Sequence, residues 1–191
     1  MIRGMKVALH ICCAVCAAGA AERLIKEGYQ LEGFFYNPNL YPEAEYFRRL
    51  ENAHQTAANL SFPLYAGEYI PADWEKAVAG WENEPEGGRR CWQCFGLRLS
   101  ATYQFMLKTG CDRFATTLSM GSNKSARLIE RLAVEIGGEA FLSRNFKSKE
   151  GFKRATELAR QWGLYRQNYC GCRFSLRDLE LRRKPVNNPD D

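Results

Sequence analysis

Cysteines are the residues of this chain whose type and spacing could do chemistry. The sequence contains eight of them among 191 residues, and most lie in three short sets. The sets are Cys12/Cys13 with Cys16 close by, Cys91/Cys94, and Cys170/Cys172. Because disulfides are rare in a reducing compartment, such sets indicate metal binding or redox chemistry. Cys111 stands alone before a predicted strand, which is typical of a small buried hydrophobic residue.

The first two sets favour an iron–sulfur cluster. The C-x-x-C spacing of Cys91/Cys94 lets two thiolates converge, and alone it fits a thioredoxin-like redox pair, half of a zinc site or half of an iron–sulfur site. Adjacent side chains such as those of Cys12 and Cys13 point in different directions and fit poorly on one small tetrahedral ion. A cluster is larger and offers separate iron corners. The four thiolates together therefore favour [4Fe–4S] over zinc.

The third set, Cys170/Cys172, has a glycine between its two cysteines. This spacing is cramped, but Gly171 permits unusual backbone angles that let a disulfide close. A strained disulfide is easily reduced, which suits a pair that cycles between dithiol and disulfide. The alternative is that both thiolates bind a metal.

The elements that must position these cysteines alternate between strands and helices. Strands are predicted at residues 7–11, 31–36, 62–65, 113–118 and 140–142, and helices at 17–27, 43–59, 72–81, 97–108, 125–136 and 150–162. Repeated βα units of this length predict a mostly parallel sheet with helices on both faces. Sites in such sheets lie beyond the carboxyl ends of the strands, where Cys12 and Cys13 follow the first strand. We expect a single catalytic domain over residues 1–182 and a loose tail over 183–191.

Composition and charge limit the class of protein. The hydrophobic content of 46% and the charged content of 26% are typical of a globular protein, and the formal net charge of +5 permits a phosphate-rich partner. The apolar segment over residues 7–21 is interrupted by His10 and three cysteines, so it fits a signal peptide poorly, and it is too short to span a bilayer. We therefore expect a cytoplasmic protein without a membrane partner.

Several motifs resemble those of the QueH-type epoxyqueuosine reductase family. They are "HICCAVC", "NPNLYPEAEYFRRLE", "EPEGGRRC", "RCWQCFGLRLSAT", "FATTL" and "GLYRQNYCGCRFS", and the resemblance runs from about residue 7 to about residue 177. The joint occurrence of "RCWQCFGLRL" and "LYRQNYCGC" is highly specific. The resemblance implies an adenine-nucleotide α-hydrolase-like (Rossmann-like) three-layer α/β fold. No glycine-rich phosphate loop follows the first strand, so we expect no use of ATP.

The resemblance also implies an activity, which is the reduction of epoxyqueuosine to queuosine at the wobble position of tRNA anticodons, the last step of queuosine biosynthesis. The family uses iron–sulfur chemistry without cobalamin, and an electron donor that the sequence does not identify must supply the electrons. By motif position the [4Fe–4S] ligands are Cys12, Cys13, Cys91 and Cys94. The resemblance makes Cys170 and Cys172 either a redox-active catalytic pair or ligands of an additional mononuclear iron. The role of Cys16 stays open.

Basic and aromatic side chains near the cysteine motifs are candidates for tRNA contacts, through phosphates and base stacking. The candidates are Arg89, Arg90, Lys124, Arg166, Arg173, Tyr165 and Tyr169. His10 adjoins the first cysteine set and is either a proton donor or, as is more common for a lone histidine beside a strand, structural. Two alternatives differ in class: a zinc- or cluster-stabilised RNA-binding module without catalysis, and a thiol–disulfide oxidoreductase that uses its C-x-x-C pair alone.

Overall fold

A parallel sheet forms the centre of the computed structural model, which describes residues 4–121 and 124–183. Within these residues the strands are β1 (Lys6–His10), β2 (Gln30–Phe35), β3 (Leu64–Ala66) and β4 (Arg113–Thr116). Their order is β3-β2-β1-β4, and every neighbouring pair is parallel. The central strand β1 is buried on both faces from Val7 to His10, which is why its sequence reads as a continuous apolar run instead of an alternating one.

Helices cover both faces of this sheet. They are α1 (Ala14–Lys26), α2 (Glu43–Asn59), α3 (Pro71–Val78), α4 (Arg89–Thr109), α5 (Ala126–Gly137), α6 (Lys149–Gln161) and α7 (Arg173–Arg183). On one face Leu9 of β1 shares a buried cluster with Leu24 of α1. On the other face Ala8 shares a cluster with Leu99 of α4 and Ile129 of α5. The chain therefore has the three-layer α/β fold that the sequence predicts.

Three segments differ from the sequence-based expectation. Helix α4 begins at Arg89, eight residues before the predicted start at residue 97, because its first turns pack on Trp74 and Val78 of α3. The strand predicted at 140–142 is reduced to one bridge between Phe114 and Phe141. Helix α7 was not predicted; it still includes Arg183, whereas the rest of the expected tail, 184–191, lies outside the described residues.

The parallel arrangement brings the carboxyl ends of β1, β2 and β4 to one edge of the sheet. The segments that follow them start at Ile11, Tyr36 and Thr117, so residues distant in sequence meet there. In the described part of the chain, no helix combines the length and the apolar character needed to cross a bilayer.

Candidate metal centre

The first cysteine set lies between β1 and α1. Cys13 is the residue that precedes the first turn of α1, and Cys16 lies within that turn. The sulfur atoms of Cys12, Cys13 and Cys16 lie within 4.8 Å of one another, and no other group of three histidine, cysteine or acidic side chains is as close in residues 4–121 and 124–183. The sequence left the role of Cys16 open, but residues three apart at a helix start face the same side, and this spacing was the available signal.

Thr117, which follows β4, holds Cys12 in place. Its hydroxyl accepts a hydrogen bond from the Cys12 amide at 3.1 Å and donates one to Cys12 Sγ at 3.3 Å. Hydrogen bonds from Cys13 and Cys16 hold the pKa of the Cys12 thiol well below its usual range. The hydrogen bond between Cys13 and Cys12 raises the pKa of Cys13 to about 11. One thiolate supported by two thiols is a suitable start for binding a cation.

The second set occupies the first turns of α4. The amide of Gly87 donates to Cys91 Sγ at 3.2 Å, and Cys91 packs in the same buried cluster as Cys12 and Cys13. Burial is the main cause that raises the pKa of Cys91 to about 12. Cys94 packs with Trp74 and Cys172 in an adjoining cluster. The tertiary structure thus brings the first two sets to one region, although about 80 residues separate them in the sequence.

The third set lies in the loop before α7. Arg49 of α2 donates to the carbonyl of Cys170 at 3.1 Å, and the Tyr41 amide donates to the carbonyl of Gly171 at 2.8 Å. Cys172 is buried and Cys170 is half-buried, and both are free thiols. Burial, followed by the charge of Cys170, raises the pKa of Cys172. Cys172 shares a buried cluster with Cys94, and Cys170 lines the same cavity as Cys16, so this loop adjoins the other two sets.

A cavity of about 320 Å³ opens beside the cysteines. Cys16 and Cys170 contribute thiols to its wall, and Lys124 contributes a cation. Burial opposes the charge of Lys124, but the thiolate charges of Cys12 and Cys170 outweigh it and raise the pKa of the lysine. The cavity therefore combines thiols with a positive charge.

The candidates for tRNA contacts lie in different surroundings. Lys124, Arg166 and Tyr169 line the cavity. Arg89 and Arg173 are exposed at the surface, Arg89 over the ring of Trp81 and Arg173 in an ion pair with Glu75. The half-buried Tyr165 donates its hydroxyl hydrogen to the carboxylate of Glu45.

Arg90 differs from the other candidates. It is 1% exposed, and its guanidinium donates to the carbonyls of Glu82 and Glu84 and lies 4.4 Å from the centre of the Phe174 ring. This burial argues against the phosphate contact that the sequence suggested. The neighbouring arginines look alike in sequence, but consecutive helix positions point in different directions, so only Arg89 faces outward.

His10 is structural. Its side chain is fully buried, with Nδ1 3.0 Å from the hydroxyl of Thr116 and Nε2 3.2 Å from the carbonyl of Tyr36. Burial, and then the charge of Arg98, lowers its pKa to about 3, so the imidazole is neutral at physiological pH. In the neutral ring Nε2–H donates to the Tyr36 carbonyl and Nδ1 accepts from the Thr116 hydroxyl, so the side chain ties β1 to β4 and to the residue after β2, and its one N–H hydrogen is already engaged.

The donor set suits an iron–sulfur cluster. The thiols of the three sets gather at this edge of the sheet, whereas Cys111 lies before β4, and soft thiolates are the ligands of iron–sulfur clusters. The surroundings are also cationic, because Arg98 is buried beside Cys94 and Lys124 lies near Cys12. A cluster held by thiolates carries net negative charge, which these groups would offset.

Comparison with known proteins identifies the family. Residues 7–178 match the family model described as epoxyqueuosine reductase QueH. The chain belongs to the QueH family of epoxyqueuosine reductases. One relative, the epoxyqueuosine reductase QueH of Thermotoga maritima, is 35% identical over 184 residues, covering 93% of each chain. The QueH of Acinetobacter baylyi is 32% identical over 177 residues, which is 91% of this chain and 81% of the relative.

Solved structures extend the fold beyond the QueH family. The tRNA thiolase NcsA from Methanococcus maripaludis, solved with its [4Fe–4S] cluster, superposes with a TM-score of 0.51 at 11% identity. The match covers 87% of this chain and 59% of NcsA, so this chain spans about three fifths of that protein. The similarity shows that this QueH member has the adenine-nucleotide α-hydrolase-like fold.

Proposed function

We propose that this chain reduces epoxyqueuosine in tRNA to queuosine by combining iron–sulfur and thiol chemistry. Membership of the QueH family carries the activity. The proposed cluster ligands are Cys12, Cys13, Cys91 and Cys94. Two observations support Cys91 as a member of this set: it shares a buried cluster with Cys12 and Cys13, and the Gly87 amide donates to its sulfur at 3.2 Å.

The overall reaction sets the demand on the protein. Removing the epoxide oxygen consumes two electrons and two protons and releases water. Two thiols that form one disulfide release two electrons and two protons, so epoxyqueuosine and a dithiol balance with queuosine, a disulfide and water. When bound, an iron–sulfur cluster supplies one-electron transfer and a Lewis-acidic iron.

Cys170 and Cys172 are the proposed dithiol. Cys170 lines the cavity, and Cys172 is buried behind it, two residues along the chain. The Ser175 amide lies 3.4 Å from Cys172 Sγ and donates to it, which offsets part of the rise in the pKa of Cys172 that burial causes. A donor outside this chain would then reduce the disulfide for the next turnover. Cys170 at the cavity wall is the sulfur that such a donor could reach.

Cys16 provides a thiol beyond these two proposed sets. It lines the same cavity as Cys170, and its sulfur is within 4.8 Å of those of Cys12 and Cys13. An additional mononuclear iron, if one binds, would take thiolates from Cys16, Cys170 and Cys172. Iron and sulfide analysis distinguishes a cluster alone from a cluster with an additional iron. A [4Fe–4S] cluster alone contains equal numbers of iron and sulfide ions, and an additional iron gives an excess of iron.

The substrate nucleoside would enter the cavity from the side of Arg166 and Tyr169. Arg166 is exposed at the rim and could meet a backbone phosphate, and the Tyr169 ring offers a surface for stacking. Lys124 lies deeper, near the thiols, and would offset negative charge there. Reduced thiols in such number also agree with a cytoplasmic enzyme.

Anaerobic assay on tRNA that contains epoxyqueuosine tests the proposal. With dithionite as reductant, and without ATP or cobalamin, purified brown protein should form queuosine, detected by mass spectrometry of the digested nucleosides. A Cys111→Ser variant should be as active, because Cys111 lies before β4 at the opposite edge of the sheet. A colourless zinc protein that binds tRNA without forming queuosine would instead establish the RNA-binding alternative.

A further inference from the structure

Arg98 of α4 is a buried cation with an unusual set of partners. It is 2% exposed and lies one helical turn after Cys94. One end of its guanidinium donates to the side-chain carbonyl of Asn37. The amide of Asn37 in turn donates to the carbonyl of Ile11 at 2.9 Å. These bonds fix the guanidinium beneath the segment that leads into Cys12 and Cys13.

Among the residues that the structure describes, no carboxylate balances this charge. Across residues 4–121 and 124–183, no acidic oxygen lies within ion-pair distance of Arg98, and its Nε has no hydrogen-bond partner. Arg49 provides the comparison within the same chain. It is 3% exposed, and its Nε is paired with Glu45 at 2.7 Å. Because an unpaired buried charge is strongly destabilising, a group beside Arg98 that can become an anion would stabilise the fold.

The thiol of Cys94 is the group in position to become that anion. Arg98 Nη1 lies 3.9 Å from Cys94 Sγ and donates toward it. This is long for a hydrogen bond, but charge interactions persist over this distance in a buried site. Arg90, also buried in α4, directs its guanidinium at two carbonyls and an aromatic ring instead. Arg98 is therefore the buried arginine of α4 that donates to a thiol.

We propose that Arg98 is the fixed countercharge of the metal centre and raises its reduction potential. This inference rests on the proposed function, since it requires a cluster at Cys94. Four thiolates around a [4Fe–4S] core give a net negative charge, and reduction adds one more. A cation held at a fixed short distance stabilises the reduced form more than the oxidised form. Arg98 is thus a positioning residue that acts on the cluster and does not touch substrate.

The test compares anaerobic holoprotein of the wild type with three variants. Arg98→Gln keeps a polar group for Asn37 and removes the charge, whereas Arg98→Lys keeps the charge and loses the planar fork. Thr102→Val is the matched control, because Thr102 is fully buried on the next turn and its hydroxyl donates only to the Arg98 carbonyl, at 2.7 Å. Iron and sulfide content and the midpoint potential, from a titration followed by electron paramagnetic resonance, are measured for each.

Arg98→Gln should lower the equilibrium constant for cluster reduction at least tenfold. For a one-electron couple this makes the midpoint potential more negative by about 59 mV. Arg98→Lys and Thr102→Val should stay near the wild-type potential. If Arg98→Gln cannot hold a full cluster, a full cluster at wild-type potential in Arg98→Lys still supports a role of charge. Full clusters with unchanged potential in Arg98→Gln, or cluster loss in both Arg98 variants, would overturn the role of Arg98. Either result would leave the proposed cluster standing. Wild-type protein without iron and sulfide would overturn the proposed cluster as well.

Discussion

The hydroxyl of Thr117 makes two hydrogen bonds with Cys12, although 105 positions separate the two residues. It accepts from the Cys12 amide at 3.1 Å and donates to Cys12 Sγ at 3.3 Å. Groups that hydrogen-bond a metal ligand commonly affect metal affinity by about 10–100-fold. We predict that Thr117→Val weakens iron retention by about that factor, because both bonds disappear while the shape is kept. Thr117→Ser, which retains the hydroxyl, should behave like the wild type. Iron release to a chelator over time measures the difference, and equal rates for Val and Ser would contradict it.

Cys91→Ser and Cys94→Ser should each lose the cluster and its visible absorption. The metal links separate chain segments, so its loss should also lower the thermal midpoint of unfolding. Cys111→Ser is the control, because Cys111 is also buried, at 7% exposure, but lies at the other edge of the sheet. It should keep full iron and lose about 1 kcal/mol of stability for the altered packing. Full iron in either Cys91 or Cys94 variant would show that the thiol is not a ligand.

Cys170→Ser and Cys172→Ser should keep the brown cluster and lose multiple turnover. Four other thiolates suffice for a cluster, and one remaining thiol cannot form the disulfide. A single turnover after chemical reduction of the cluster could persist. Thiol titration before and after substrate should show a loss of two thiols in the wild type. If the variants contain less iron per protein but keep the visible band, the pair binds an additional iron instead. If both variants retain multiple turnover, the pair has no catalytic role.

Gly171→Ala should destabilise the loop that carries the third cysteine set. Gly171 has φ +123°, and a Cβ there would overlap Leu40 and meet Arg49. We expect a loss of about 2–3 kcal/mol in the free energy of unfolding, from backbone strain together with the clash. Gly163→Ala is the matched control: it also has positive φ, at +64°, but open space around the Cβ. It should lose only about 1 kcal/mol. Equal losses in denaturant titrations would show that the contacts with Leu40 and Arg49 do not matter.

Arg166→Ala should weaken tRNA binding and lower the slope of log K against log salt by about one unit, since it removes one phosphate contact. Arg131→Ala is a suitable control because Arg131 is also exposed, on α5, is paired with Glu135, and is absent from the cavity wall. Its slope should not change. Arg90→Ala should reduce stability through lost packing on Phe174 without altering the slope. Binding titrations at several salt concentrations distinguish these outcomes.

Local patterns were sufficient for the four strands of the sheet and for the three cysteine sets, but they also predicted a strand at 140–142 that is only one bridge. The apolar run that became β1 and the amphipathic pattern of α2 are short-range properties, so they could be predicted from the chain itself. The motif match to the QueH family likewise depends on residue identity and spacing. The early start of α4 was missed because "RRCWQCF" contains no strong local start signal, and its helical form depends on packing against α3.

The sequence by itself determined which residues carry the chemistry, because thiol type, spacing and family motifs are local. Only the tertiary structure decided which of them meet. It placed Cys16 within 4.8 Å of Cys12 and Cys13, buried Arg90 where a surface contact was expected, and left Arg98 beside Cys94 with no carboxylate partner in the described part of the chain. Burial and charge pairing depend on segments far apart in the chain that parallel strands bring to one edge of a sheet. No short pattern contains that information.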